Sequence, residues 1–572
     1  MHHNAKWMLH TKRADFAALA TRFKISPVTA RIIRNRDVME AAAVERYLNG
    51  TIKDLYDPHL LKDMDKAAAI LIEKIRQDRK IRIVGDYDID GVCSTYLLLK
   101  GLRRLGAQAD YQIPERIRDG YGINEAIIRK AHEDGIDTIL TCDNGIAAYE
   151  TIRLAKELGL TVIITDHHEV PRQDGDELLP PADAIINPKQ KDCHYPFDGI
   201  CGGVVAFKLV AALYEAEGIP AAEWEAMLEI AAIATVGDVM KLCDENRIIV
   251  KWGLCRMPES KSLGLKKLIE ACELDIHAMT AYHIGFVIGP CLNAGGRLQT
   301  AKLALELLLC ENTGQAQAMA AELKRLNEER KALTKKGTEE ALEQVAACYS
   351  QDSVLVVYLP DCHESLAGII AGRVREVYHK PSFVLTRGEE CVKGSGRSIE
   401  AYHMYDALCG VQELLLKFGG HPMAAGFSLT EEAIDAFRMR LNQQAGLTAT
   451  DFIPRVWIDA AMPLEYISEQ LIDELKLLEP YGMGNEKPQF AQKNLRIRGI
   501  PRVLGKNRNA VKLALVTEQG LPMEAMLFTE GDLFLEEQKG KKEIDVVYYP
   551  DINEYKGNKT LQIVIREFKL HE

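Results

Sequence analysis

At 572 residues the chain is too long for one hydrophobic core, and about three or four domains are expected. Its 47% hydrophobic and 27% charged residues are those of a soluble globular protein, and a net charge of -12 argues against a uniformly basic nucleic-acid binder. Thirteen cysteines with no Cys-x-x-Cys pair exclude a disulfide framework and a thiolate zinc site, and read as the reduced thiols of a cytoplasmic protein.

No apolar segment of a secretory signal follows Met1-His-His-Asn-Ala-Lys6. Residues 1–65 read as a helical lead-in without an assigned role. A strand is predicted at Ile81–Gly85, then the acidic stretch Asp86-Tyr87-Asp88-Ile89-Asp90-Gly91, then a helix over Val92–Leu102. Three carboxylates in five residues repel one another, and a divalent cation is the usual remedy. The plainer reading makes one Asp a helix cap and leaves the others solvated.

The pattern recurs. The apolar run Thr138–Cys142 ends at Asp143-Asn144-Gly145, Thr161–Thr165 ends at Asp166-His167-His168, and the apolar run Ile230–Gly237 delivers Asp238. Helical patterns at Glu125–Glu133 and Ala148–Leu158 alternate with the strands, which predicts a parallel sheet. Such sheets bind ligands beyond the carboxyl ends of their strands.

Carboxylates with imidazole suit Mg²⁺ or Mn²⁺, and this many donors suit two ions about 3.5–4 Å apart with a shared carboxylate. Asp88, Asp90, Asp143, His167 and Asp238 are the expected ligands, with Asp143 as the bridge. Asp86 is either a further ligand or an acceptor that orients one. A two-ion site suits in-line phosphoester hydrolysis, with Asp88, Asp90, Asp143, His167 and His168 as the catalytic set. In an extended segment adjacent side chains point opposite ways. One histidine is therefore expected to ligate and the other to face substrate.

Anion donors are expected in four glycine-containing loops. They are Pro114–Gly122 with Arg116, Leu292-Asn-Ala-Gly-Gly-Arg297, Gly394-Ser-Gly-Arg-Ser398 and Gly419-Gly-His421. Together they suggest an extended polyanion between two domains. The charge-free stretch 276–296 reads as buried loop and short elements, not a membrane span. One or two long helices are predicted over 301–347. A second α/β pattern runs from Ser353–Leu359 through Leu366–Tyr378 and Ser382–Thr386 to near Gly446. From Phe452 onward short strands predict a small β barrel or sandwich. Eight basic residues against one acid lie between Glu486 and Lys512. Arg496 and Arg498, on alternating strand positions, form a basic face near Tyr481 and Phe490 for single strands.

The four motifs Asp86–Gly91, Thr141–Gly145, Asp166–His168 and Gly237-Asp238 resemble those of the DHH phosphoesterases. Tyr121-Gly122, Tyr195-Pro-Phe197, Cys201-Gly-Gly203, Leu292–Arg297, Gly394–Ser398 and Phe418-Gly-Gly-His421 extend the likeness to that family's single-strand-specific DNA exonucleases, from about residue 70 onward. The resemblance implies an α/β chain with a DHH parallel-sheet domain at 66–300, a connecting helix at 301–347, a DHH-associated α/β domain at 348–447 and an OB-like β barrel at 448–572. It implies 5′-to-3′ digestion of single-stranded DNA to mononucleotides with two Mn²⁺ or Mg²⁺ ions, in repair and recombination. The implied protein is a cytoplasmic monomer off the membrane, working with a single-stranded-DNA-binding protein and a helicase. Arg116 and Arg297 stand where the family grips phosphates, including that of the 5′ end. Tyr121, Asn293, His363, Arg373, Ser395, Arg397, Ser398, Gly419, Gly420, His421, Arg496 and Arg498 complete the expected DNA-contacting set. Two positions depart from the family: Cys362 stands where a Trp usually precedes His363, and the loop Gly505–Ala510 lacks a His. The alternative is a DHH oligoribonuclease or cyclic-dinucleotide phosphodiesterase acting on short substrates, chains that usually lack a basic β module.

Overall fold

The computed structural model describes residues 5–116, 120, 122–555 and 557–571. The chain forms two compact units. The larger comprises Lys12–Asn327 with Ser468–Pro488, the smaller Met1–Thr11 with Glu328–Ile467 and Gln489–Glu572. Among the described residues no helix is long and apolar enough to cross a membrane.

The larger unit is built on five parallel strands: β1 (Ile81–Val84), β2 (Ala109–Gln112), β3 (Thr138–Cys142), β4 (Thr161–Thr165) and β5 (Ala184–Ile186). Their spatial order is β2-β1-β3-β4-β5. β1 and β3 are buried along their whole length, which is why they read as largely apolar runs; Arg82, the charge within β1, is paired with Asp110 and Asp134. Alternate residues feed opposite cores. Ile81, Ile83, Leu140 and Ile163 enter one, while Val84, Ile139, Val162 and Ile164 enter the other.

The first core is covered by helices α1 (Ile89–Arg104), α2 (Gly202–Ala216) and α3 (Leu228–Gly237). The apolar run before Asp238 is thus the helix α3, buried from Leu228 to Thr235, so it lacks a polar stripe. The stretch expected as loop before Arg297 is helical too. A π-helical turn, Ile284–Ile288, leads into α4 (Gly289–Leu298). The helix α5 (Thr313–Gln344) then carries the chain from the larger unit into the smaller.

The N-terminal segment gives three helices to the larger unit and one strand, Lys6–Leu9, to the smaller, where it pairs in parallel with Arg455–Ile458. In the larger unit buried Arg247 stacks on Tyr47, 3.9 Å from the ring, and donates to the carbonyls of Tyr47, Leu477 and Leu478 at 2.8 Å each.

The smaller unit holds a mixed sheet of β6 (Leu355–Tyr358), β7 (Ser382–Arg387), β8 (Val392–Arg397), β9 (Lys417–His421) and β10 (Ala424–Leu429), in the order β9-β10-β8-β7-β6. Helix α6 (Glu364–Tyr378) packs on β7 and β8. The C-terminal strands are β11 (Phe490–Ile497), β12 (Ala510–Val516), β13 (Pro522–Leu527), β14 (Glu543–Tyr555) and β15 (Asn558–His571). They run β11-β14-β15-β13-β12, and pairing of β12 with β11 closes them into the small barrel expected.

Candidate metal centre

A 2-1-3-4-5 parallel sheet reverses direction between β1 and β3, and ligands bind at such a switch point. The acidic motifs lie there. Asp86, Asp88 and Asp90 follow β1, Asp143 follows β3, and Asp166, His167 and His168 follow β4. Asn144 ties the first two strand ends together through Nδ2, which donates to the carbonyls of Val84 (3.1 Å) and Cys142 (2.9 Å). Asp143 sits in the left-handed region at φ 61°, a conformation Asp tolerates better than most residues.

The three carboxylates that follow β1 are each fixed by backbone N–H groups. Asp88 caps α1 and accepts from Gly91 N at 3.0 Å. Asp86 accepts from Gly122 N at 3.4 Å. Asp90 faces the start of α2, accepting from Gly202 N (2.7 Å) and Gly203 N (2.8 Å). This approach needs both glycines. A Cβ on Gly202 would lie 2.7 Å from Asp143 Cβ, and one on Gly203 would lie 2.4 Å from Ala234 Cβ and 3.0 Å from Asp90 Oδ1.

The two histidines differ in their surroundings, and their side chains do not follow the extended geometry expected. Asp166 Oδ1 accepts from the backbone N–H of both His167 (2.7 Å) and His168 (3.1 Å), which turns the chain out of the strand. The two rings therefore lie side by side, with centroids 4.5 Å apart, instead of pointing opposite ways. His167 Nε2 lies 3.1 Å from Asp143 Oδ1, 3.6 Å from Asp90 Oδ2 and 3.7 Å from Asp238 Oδ2. His168 Nδ1 is engaged by Asp166 Oδ1 at 2.8 Å, and its side chain is 41% exposed.

Burial, and then the neighbouring carboxylates, raise Asp86, Asp88 and Asp143 above the ordinary carboxylate range and push Asp238 up to about 8. Burial pulls His167 below its ordinary value despite Asp90, so the ring is the neutral imidazole that binds cations. Burial also opposes charge on His168. The Asp166 hydrogen bond and the surrounding carboxylates outweigh it and push that ring up to about 9.

The donor set fits divalent cations. Among the described residues three groups have ligand atoms within 4.8 Å of one another: Asp86, Asp88 and Asp143; Asp143, His167 and His168; and Asp90, His167 and Asp238. Asp143 and His167 each belong to two groups. Oxygen dominates, which suits Mg²⁺ or Mn²⁺.

Arg116 stacks over Tyr87, 4.8 Å from its ring, and Arg297 bears electrostatically on the same phenol. Two guanidinium groups thus flank the aspartate loop. Asn293 and Arg297 lie on α4, so the N–H groups expected to cradle an anion donate within the helix instead. Tyr121 lies outside the described residues.

The expected loops of the smaller unit are also strands. Gly394–Arg397 lies in β8, and Gly419, Gly420 and His421 form the exposed end of β9. Arg397 donates to Gly396 O at 2.7 Å, beside Ser395 Oγ at 3.4 Å. Ser398 is 1% exposed, with its hydroxyl donating to the Tyr402 carbonyl, so it supports the core and cannot meet a phosphate. His363 caps α6, its Nδ1 accepting from Ser365 N at 3.3 Å. Arg373 is exposed and paired with Glu376 at 2.8 Å.

Arg496 projects from β11, whereas Arg498 lies just beyond its end; both are exposed. Phe490 is 0% exposed, so it offers no stacking face, and Tyr481 belongs to the larger unit, its hydroxyl donating to Leu475 O at 2.7 Å. Residues missed by sequence reasoning are Asp166, which orients His168, and the N–H pair of Gly202 and Gly203, for which the Cys-Gly-Gly motif was the signal.

Three family models match the chain: DHH family, N-terminal domain, over residues 80–235; DHHA1 domain over 351–446; and RecJ OB domain over 458–567. The chain is 38% identical to the single-stranded-DNA-specific exonuclease RecJ of Bacillus subtilis (strain 168), over 99% of this chain and 71% of that protein. It is 34% identical to the Escherichia coli (strain K12) protein described in the same words, over 95% and 96%. The crystal structure of RecJ from Thermus thermophilus in complex with Mn²⁺ matches with a TM-score of 0.85 at 30% identity, covering 100% of this chain and 80% of that one. Likeness at this level across nearly the whole length establishes that the chain belongs to the RecJ family of single-stranded-DNA-specific exonucleases.

Proposed function

We propose that the protein hydrolyses single-stranded DNA from the 5′ end, releasing nucleoside 5′-monophosphates with two Mn²⁺ or Mg²⁺ ions. The observation that carries this reading is the overlap of three ligand groups on Asp143 and His167 at the switch point of the sheet. Asp88, Asp90, Asp143, His167 and Asp238 would hold the ions, with Asp143 shared and Asp86 a further ligand or an orienting acceptor. Bound ions of this kind supply a water deprotonated near neutral pH and neutralise a phosphate oxygen.

The chain's own residues do the rest. Gly202 and Gly203 hold Asp90 in place, and Asp166 holds a proton on His168. His168 meets the substrate through Nε2, as a cation to a phosphate oxygen or as the acid for the leaving oxygen. Arg116 and Arg297 grip the 5′ phosphate, which selects the end attacked. Asn293, Ser395, Arg397, Gly419, Gly420 and His421 contact the strand, with Arg496 and Arg498 holding its distal part. The domains divide at about 65, 300, 347 and 447. The family resemblance supports a cytoplasmic monomer that works in repair and recombination beside a single-stranded-DNA-binding protein and a helicase.

A comparison of a long 5′-phosphorylated single strand, its duplex and a dinucleotide tests this. Degradation of the single strand alone, or far faster than the others, is expected. Cleavage of the dinucleotide alone would return the assignment to the oligoribonuclease or cyclic-dinucleotide phosphodiesterase reading.

A further inference from the structure

Cys272 follows the helix Leu263–Ala271, and Cys291 is the third residue of α4. Their Sγ atoms lie 3.8 Å apart. All thirteen cysteines are thiols. Cys272 is half-buried and open to a small oxidant, whereas Cys291 is 1% exposed and held by Asn327, whose Nδ2 lies 3.4 Å from its Sγ. A disulfide closes the sulfur pair to about 2.05 Å. Cys291 would therefore be drawn toward Cys272, and α4 with it.

Helix α4 is closely packed on the aspartate loop, so a shift of the helix is felt there. A Cβ on Gly296 would stand 2.5 Å from the Tyr87 carbonyl oxygen, so this backbone already touches the loop carrying Asp86 and Asp88, which leads into Asp90 in the first turn of α1. Two residues before Cys291, Gly289 offers 3.2 Å between such a Cβ and Ile89 Cδ1, on that loop's helical continuation. Misplacement of aligned groups by about 1 Å costs as much as about 100-fold in rate.

We propose that Cys272 and Cys291 are an oxidative modification site, forming a reversible disulfide that shifts α4 relative to the aspartate loop it packs on and slows hydrolysis. The oxidant is a peroxide. The Cys272 sulfur attacks it, forming an S–O bond as the O–O bond breaks, and leaves a sulfenic acid and one water. The Cys291 sulfur then attacks the sulfenic sulfur. The S–S bond forms, the S–O bond breaks, and the departing oxygen takes the Cys291 proton and leaves as a second water. Two thiols lose two electrons in all, and one peroxide is reduced to two waters. A dithiol reductant reverses the change.

Bond formation stands apart from the hydrolytic reading, and only its effect on rate rests on that reading. The full chain is treated with hydrogen peroxide, digested without reductant and examined by mass spectrometry. Degradation of a 5′-phosphorylated single strand is measured before treatment, after it, and after dithiothreitol, in wild type and in Cys272→Ser. A Cys272–Cys291 cross-linked peptide is expected. So is a several-fold fall in wild-type rate that dithiothreitol restores and that Cys272→Ser escapes. Absence of the peptide overturns the site, and the peptide without a change in rate overturns its coupling to α4. An equal loss in Cys272→Ser also overturns the coupling. A reduced wild type that degrades no strand counts against the hydrolytic reading, while the peptide still decides the site.

Discussion

His168 Nδ1 lies 2.8 Å from Asp166 Oδ1, the oxygen that also receives the backbone N–H groups of His167 and His168. One carboxylate oxygen thus sets the turn, the ring orientation and the charge of His168. Asp166→Asn keeps the shape and removes the charge. Its kcat should fall roughly 10–100-fold, as for other groups that orient a site's functional side chains. Steady-state rates on a 5′-phosphorylated single strand check this, and full activity would refute the role given to Asp166.

Asp143 is 2% exposed among like charges, so its carboxylate should destabilise the metal-free protein, and under the proposed function it would hold the ions. Asp143→Asn should abolish hydrolysis without lowering the metal-free melting temperature. Mn²⁺ at about 100 times its Kd should stabilise wild type by about 2.7 kcal/mol and the variant far less. Thermal melts with and without Mn²⁺ read both effects. A variant that melts well below wild type without metal would show that the carboxylate is structural.

The close packing at Gly202 makes a sharper test of positioning. In Gly202→Ala the new methyl would stand 2.9 Å from Asp143 Oδ1. Stability should fall by about 1–3 kcal/mol from overpacking, and activity far more, because both Asp90 and Asp143 move. Denaturant melts and rates separate the two, and an active Gly202→Ala would contradict the geometry.

Glu229, on the helix that delivers Asp238, gives a pH dependence remote from the ions. Burial pushes it up to about 7, against the weaker pull of the Ser260 hydroxyl at 2.9 Å. A carboxyl raised in the folded state binds more protons there than in the unfolded chain. Stability should therefore fall as pH rises from its ordinary value near 4.5 to about 7, then level off, a loss on the order of 3 kcal/mol. Glu229→Gln should flatten that slope and be more stable than wild type at pH 8. Urea melts across pH check it, and a variant less stable than wild type at pH 8 would contradict it.

Much of the site was legible because buried parallel strands read as apolar runs that stop at acids; β1, β3 and β4 each do so. Helices α3 and α4 were not. A helix buried all round has no polar stripe, and glycines that serve close packing in α4 look like loop. Asp166 looked like part of a motif because its work lies in hydrogen bonds that composition does not reveal. Long-range pairing was equally hidden. Lys6–Leu9 joins Arg455–Ile458, and Leu477 and Leu478 supply carbonyls to buried Arg247. A cut near residue 450, natural from the sequence, would strip Arg247 of those acceptors.

The most direct test is the anomalous scattering of crystals grown with Mn²⁺. Two peaks about 3.5–4 Å apart, with Asp143 touching both and His167 touching one, are the predicted result. A single peak, or none among Asp88, Asp90, Asp143 and Asp238, would contradict the account.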